Sequence, residues 1–218
     1  MVLNGTPVDV SKIPQNLIKS PPTEGKPWRF LYLSNLMTTK GYQDLLAACH
    51  LLLEQGLKNF QCDFCGEFLS SVAEGKNDSN EDRKAAFLAQ IENSPLKGHV
   101  YYHGTVSGDQ KTQFLSESHF LLLPTYYPWE GQPLSINEAL AWSTPVVTTY
   151  HRGIPEQVQE GVNGYFVESQ DPQALADCLA RFLRNEIPYQ VISKQARIHY
   201  EGNFTNEQHL ATLIQLLH

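Results

Sequence analysis

The chain has 218 residues, 41% of them hydrophobic, and a formal charge of −7 at pH 7. That length can bury a substantial core, yet no stretch approaches the roughly 20 apolar residues a membrane span needs. The acidic balance, with no Lys/Arg cluster to break it, argues against a nucleic-acid partner. The opening Met-Val-Leu-Asn-Gly carries no basic region followed by an apolar run, so no secretory signal is read there. It looks instead like a cut made within a longer protein. Four scattered cysteines, Cys49, Cys62, Cys65 and Cys178, are reduced, cytosolic usage, and a cytoplasmic location is expected.

Residues 1–28 are rich in Pro and Gly and read as an extended lead-in outside the core, with residues 29–218 as one domain. The run 30–34 (Phe-Leu-Tyr-Leu-Ser) is short and apolar, as a buried parallel strand should be. A helix is predicted from about Lys40, where Tyr42, Leu45, Leu46, Cys49, Leu52 and Leu53 fall at helical spacing and Gly56 ends the pattern. Residues 60–65 form a second strand. Cys62-Asp-Phe-Cys65 has redox or zinc spacing, but no second Cys/His pair follows, so both read as buried strand cysteines. A long polar loop is expected over 74–82 and a helix over 83–91. Residues 100–102 are a third strand closed by His103-Gly104, 110–117 a short helix and 120–123 a fourth strand. A helix over 133–142, strands over 145–149 and 164–167, and helices over 172–184, 188–200 and 206–217 complete the chain. Alternating strands and helices with short connections predict an α/β fold: a Rossmann-like parallel sheet with helices on both faces.

In such a sheet, ligands bind beyond the carboxyl ends of the strands. The richest loop there is Glu130-Gly-Gln-Pro-Leu-Ser-Ile-Asn-Glu138. Pro133 fits the first helical position, and Gly131 allows a ligand close to the backbone. The free N–H groups and dipole of that helix start suit a phosphate. Taken alone, however, Glu130 and Glu138 read first as a glutamate favouring the helix dipole and a solvated neighbour. Tyr126, Tyr127 and Trp129 either line a pocket or plug the core. Trp142 and the scattered histidines (His50, His99, His119, His151, His199, His209, His218) read as packing or surface residues.

The order of elements changes that balance. Glu130 and Glu138, with seven residues between them and followed by Ala-Leu-Ala and Pro145-Val-Val, resemble the signature of family 4 glycosyltransferases. Asn4-Gly5 with Val8-Asp9 is similar to that family's interdomain lead-in, Leu36 with Lys40-Gly41 to its lysine loop, and Gly104 to its glycine turn. Gly153-Ile-Pro-Glu156 with Gly161-Val-Asn-Gly164 is similar to its later glycine-rich segment. The resemblance covers nearly the whole chain. It implies the C-terminal, donor-binding half of a GT-B enzyme that transfers sugar from a UDP- or GDP-linked donor with retention. It implies Lys40 on the donor pyrophosphate, Glu130 on the sugar hydroxyls, Glu138 on the ribose and the backbone of Gly131, Gln132, Pro133 and Leu134 at sugar or phosphate. His103 and Gly104 would lie near the base. Lys40 and Glu130 would be the catalytic residues.

One position departs from the pattern: Asn35 stands where the family commonly carries Arg, and an amide supplies no charge to a leaving pyrophosphate. Either Lys40 and the helix dipole suffice, or another cation such as Arg152 helps. No Asp-x-Asp pair is present, so neither a metal nor another cofactor is expected. The expected partners are the nucleotide-sugar and an acceptor domain on the same polypeptide, with membrane contact only through that domain. The acceptor-less chain is expected to bind nucleotide without turnover. A sugar-nucleotide epimerase and a non-catalytic nucleotide-binding or interaction module stay open beside this reading.

Overall fold

Six short runs become strands of a parallel sheet whose two faces are covered, so the side chains of its central strands are largely buried, while edge strand β3 exposes alternate residues. The computed structural model describes residues 3–5, 9–69 and 79–216. The strands are β1 (Trp28–Leu33), β2 (Phe60–Cys65), β3 (Val100–Gly104), β4 (Phe120–Leu123), β5 (Val146–Thr149) and β6 (Gly164–Val167). They form one parallel sheet in the order β3-β2-β1-β4-β5-β6. All of β4 and β5 is buried. Phe30 of β1 stacks on Phe60 of β2 and meets Phe120 of β4 edge-on, so aromatic rings bind the middle of the sheet together.

The helices are α1 (Tyr42–Glu54), α2 (Asn80–Glu92), α3 (Gly108–Glu117), α4 (Leu134–Ala141), α5 (Pro172–Leu183), α6 (Tyr189–Asn203) and α7 (Asn206–Leu216). Right-handed crossovers send the two halves of the sheet outward from β1 and β4, which puts their helices on opposite faces. α1 packs with α5, and α4 with α6. The strand order reverses between β1 and β4, the place in a parallel sheet where a ligand crevice is expected beyond the carboxyl ends of the strands.

Several boundaries differ from those predicted. β1 begins at Trp28, which is buried. Lys40 closes a one-turn 3₁₀ segment, Thr38–Lys40, and α1 starts only after Gly41. α2 begins at Asn80, capped reciprocally by Ser79 and Asp82, so the end of the expected 74–82 loop is helical. The rest of that loop, like Val8 of the lead-in pattern, His218 and the last residue of the 206–217 helix, lies outside the described residues. Pro133 is the N-cap of α4 and not its first residue, because its ψ of 121° is extended. Cys62 and Cys65 are free, buried strand thiols; burial pushes Cys62 up and Cys65 to about 12, so neither is a ready nucleophile.

The lead-in was expected outside the core, and residues 9–27 do run along the surface, but they send Ile13 and Lys19 inward. Lys19 Nζ donates to Leu115 O, Ser118 O and Thr144 Oγ1, each at 2.6 Å. Burial pulls its pKa down to about 7. The Leu17 carbonyl accepts from Ser143 Oγ at 2.6 Å, and the Lys19 N–H donates to Ser193 Oγ. These bonds pin the lead-in across α4 and α6.

Candidate functional site

The crevice is built by two loops that the sequence keeps tight. After β1 the chain makes the 3₁₀ turn and passes Gly41, whose φ is 75°; a Cβ there would lie 2.1 Å from the Pro124 carbonyl oxygen. Only glycine lets the loop after β1 press this closely on the loop after β4. Gly41→Ala is expected to destabilise the fold by about 2 kcal/mol through left-handed strain and this clash. An unchanged urea midpoint would show that the approach is not tight.

That contact delivers Lys40 to Glu130. Lys40 Nζ lies 2.9 and 2.7 Å from the two Glu130 carboxylate oxygens, with the side chains 15% and 6% exposed. Buried Thr125 donates its hydroxyl to Glu130 Oε2 at 2.9 Å. The Tyr127 ring lies 4.8 Å from Lys40 Nζ, a cation–π contact that holds the ammonium from its other side. Trp129 is 70% exposed, which excludes a core plug for that ring.

Glu138, one turn into α4, is held in the same way. Lys111 of α3 reaches across to Glu138 Oε1 at 2.6 Å, with side-chain exposures of 31% and 8%. Both lysine–glutamate pairs line one cavity of about 350 Å³, together with Asn35, Thr105, Val106, Pro133, Leu134 and Ser135. Two helices bring residues near their N-termini to this cavity: α3 with Lys111, and α4 with Leu134 and Ser135, whose first N–H groups no side chain caps. Lysines and helix dipoles concentrate positive potential there, and the two glutamates offset it. Beyond the Lys111–Glu138 pair lies a second cavity of about 380 Å³, walled by Val106, Ser107, Gly108 and Trp142 and by Asp9 and Lys12 of the lead-in.

The sequence-predicted residues thus divide. Lys40, Asn35, Glu130, Pro133, Leu134 and Glu138 meet around the first cavity. Gly104 ends β3 with φ 67° directly before the lining residues Thr105 and Val106. Gly131 lies against Gly153, where a Cβ would come within 2.6 Å of the Gly131 carbonyl, so this second glycine shapes the loop from behind. Gln132 does not line the cavity: its side chain accepts from the Asn4 N–H at 2.8 Å and donates to Glu156. Nor does His103, whose ring nitrogen bonds the buried Asp63 carboxylate at 2.8 Å while its ring packs on Phe114. Against the opposing effect of burial, His103, Gln61 and Arg29 hold the Asp63 carboxyl below its ordinary value. Arg152 is likewise absent from the lining, and the second lysine, which sequence reasoning missed, is Lys111.

A larger cavity, about 460 Å³, opens between β6 and α5 at the sheet edge, away from the strand-order reversal. No group of three or more His, Cys, Asp or Glu that could hold a metal occurs among the described residues, and no described helix is long and apolar enough to cross a membrane.

The chain is 30% identical over 190 residues to the amylovoran biosynthesis glycosyltransferase AmsK of Erwinia amylovora, covering 85% of this chain and 43% of AmsK. Among solved structures, Anabaena HepE in complex with UDP superposes with a TM-score of 0.74 at 20% identity, over 88% of this chain and 49% of HepE. The C-terminal domain of LpcC, a glycosyl transferase group 1 family protein from Francisella tularensis, superposes with a TM-score of 0.67 at 18% identity, over 83% of this chain and 89% of that one. The chain therefore spans less than half the length of AmsK and of HepE. The glycosyl transferases group 1 profile matches residues 15–199, most of the sequence, and on that match the chain belongs to the group 1 glycosyltransferase family.

Proposed function

We propose that this chain is the C-terminal, donor-binding half of a family 4, GT-B glycosyltransferase. It holds a UDP- or GDP-linked hexose for a retaining transfer to an acceptor carried by a second domain, in the cytoplasm. The observation that carries the reading is the pairing of two lysines with two glutamates around one crevice at the strand-order reversal. A nucleotide-sugar has hydroxyls at both ends and a diphosphate between them. Glu130 and Glu138 are acceptors for sugar and ribose hydroxyls, and Lys40 with the α4 N-terminus is a cradle for the diphosphate. The adjoining cavity by Val106 and Gly108 takes the base. HepE, solved with UDP, supports uracil, and the LpcC C-terminal domain supports this placement in a longer chain.

In this reading the protein's own contribution is electrostatic. As the sugar–phosphate bond breaks, negative charge grows on the leaving diphosphate, and Lys40 and the helix N-termini are already oriented toward it. These groups supply the positive charge a diphosphate needs, so no metal is assigned a role. Glu130, clamped by Lys40 and Thr125, orients the sugar and is not assigned as a nucleophile. Without an acceptor domain to close the crevice against water, the chain holds nucleotide but does not transfer sugar.

Calorimetric titration with UDP, GDP and ADP tests this. Saturable binding of one of them, weakened by Glu138→Ala and indifferent to EDTA, is expected. Sugar transfer by the chain alone, or binding abolished by EDTA, would refute the corresponding part.

A further inference from the structure

We infer that Lys111 is a second diphosphate-binding cation, held in reserve by Glu138 and released to the phosphates when a ribose occupies that carboxylate. The inference rests on the nucleotide-sugar reading above and gives Lys111 a ligand that reading does not assign to it.

Lys40 and Lys111 are the two cations among the residues lining the crevice cavity, and position 35, beside them, is an uncharged Asn. Lys111 sits in the first turns of α3, which begins at Gly108. A cation there opposes the helix dipole, so its placement is locally unfavourable and needs an anion across the gap. Glu138 is that anion, 2.6 Å away. The two partners are unequal: the Glu138 side chain is 8% exposed and fixed on α4, whereas Lys111 is 31% exposed on a flexible stem. When the ribose hydroxyls donate to Glu138, the carboxylate keeps hydrogen-bonded partners. The ammonium, standing between the two cavities that share it, then swings to the diphosphate. Lys40 lacks this freedom because it bonds both oxygens of Glu130 and lies over the Tyr127 ring, with its side chain only 15% exposed.

A purely structural Lys111, present only to steady Glu138, would affect the ribose and the phosphates together. A phosphate-directed Lys111 would affect the phosphates alone. The experiment titrates the full chain and its Lys111→Met and Lys111→Arg variants with UDP and with uridine, checking folding by thermal melt. Lys111→Met is expected to weaken UDP about tenfold, the scale of one charge-assisted contact net of the lost ion pair, with uridine unchanged within about twofold. Lys111→Arg should retain most of the UDP affinity. If Lys111→Met does not fold, Lys111→Gln is read the same way. Equal losses for uridine and UDP, or an unchanged UDP affinity, overturn the inference while leaving the donor-site reading intact. Failure of the wild-type chain to bind UDP, GDP or ADP overturns that reading and this inference with it.

Discussion

Lys40→Ala is expected to weaken nucleoside-diphosphate binding about a hundredfold and to lower stability by about 2 kcal/mol. Adding Glu130→Gln should restore much of the stability and none of the affinity. The ion pair has two separable consequences. In the free chain Lys40 neutralises a carboxylate that is 6% exposed, and removing the ammonium leaves that charge buried with only the Thr125 hydroxyl for company. Truncating one partner of a buried pair commonly costs 3–5 kcal/mol, roughly, and the partial exposure of Lys40 and the surviving Thr125 bond argue for the lower figure here. Glutamine keeps the shape and the Thr125 contact but carries no charge, so the double variant has nothing unpaired to bury. The nucleotide measures the other consequence: the cation facing the diphosphate is absent in both variants. Urea unfolding read beside calorimetry decides the matter. If affinity returned with stability in the double variant, Lys40 would be a prop for Glu130 and not a diphosphate ligand.

How much of this was legible in the residues follows from how local each signal is. Short, mostly apolar runs mark buried parallel strands, and the bounds expected for 60–65 and 120–123 are those of β2 and β4, with Cys62 and Cys65 buried in the first. Lys40, Glu130 and Glu138 were legible as a pattern, since each lies in a loop or helix start that strand order alone delivers to one crevice. Strand alternation puts His103 on the face of Tyr101, toward Asp63 and Phe114, so its ring faces away from the cavity lining. Gln132 turns away because Asn4 and Glu156 claim its side chain, contacts across 128 and 24 residues that no local pattern announces. Lys111 left a faint trace, a lysine early in a helix where the dipole disfavours it. Such a breach of a local rule is what a functional constraint produces. Lys19 left none, because its three acceptors come from Leu115, Ser118 and Thr144.

The acid limb of stability should be governed by another residue first read as packing. Between about pH 7.5 and about pH 5, the wild-type chain is expected to lose roughly 2 kcal/mol more stability than His119→Phe. His119 Nδ1 accepts the Arg29 N–H at 2.9 Å, and the ring lies edge-on to Trp28 and beside Tyr189. A protonated Nδ1 could not accept that bond. Burial first, then the positive charges of Lys19 and Arg29, lower its pKa from 6.5 to about 4. Arg29 is itself tied to Asp63 and Glu117, so its charge stays in place.

The sign follows from which state takes the proton. Above pH 6.5 the histidine is neutral in both the folded and the unfolded chain, and its full contribution is present. As pH falls from 6.5 to 4 the unfolded chain binds a proton and the folded chain does not, so stability drains away across that window. At full extent the loss is about 3 kcal/mol, from about 1.4 kcal/mol for each pH unit. Lys19 acts elsewhere: with a folded pKa of about 7 against an ordinary 10.5, its proton is released from the folded state first, and stability gains between those values as pH rises. Asp63, depressed below 3.8, acts at lower pH still. His199, also lowered by burial, contributes with the same sign as His119, which is why the difference between variant and wild type carries the test. Phenylalanine keeps the contact with Trp28 and gives up the acceptor, so His119→Phe should start about 1 kcal/mol less stable at neutral pH and follow a flatter acid limb. Parallel limbs for the two proteins would mean that His119 takes up its proton in the folded state as readily as in the unfolded one, and that its bond from Arg29 does not hold it neutral.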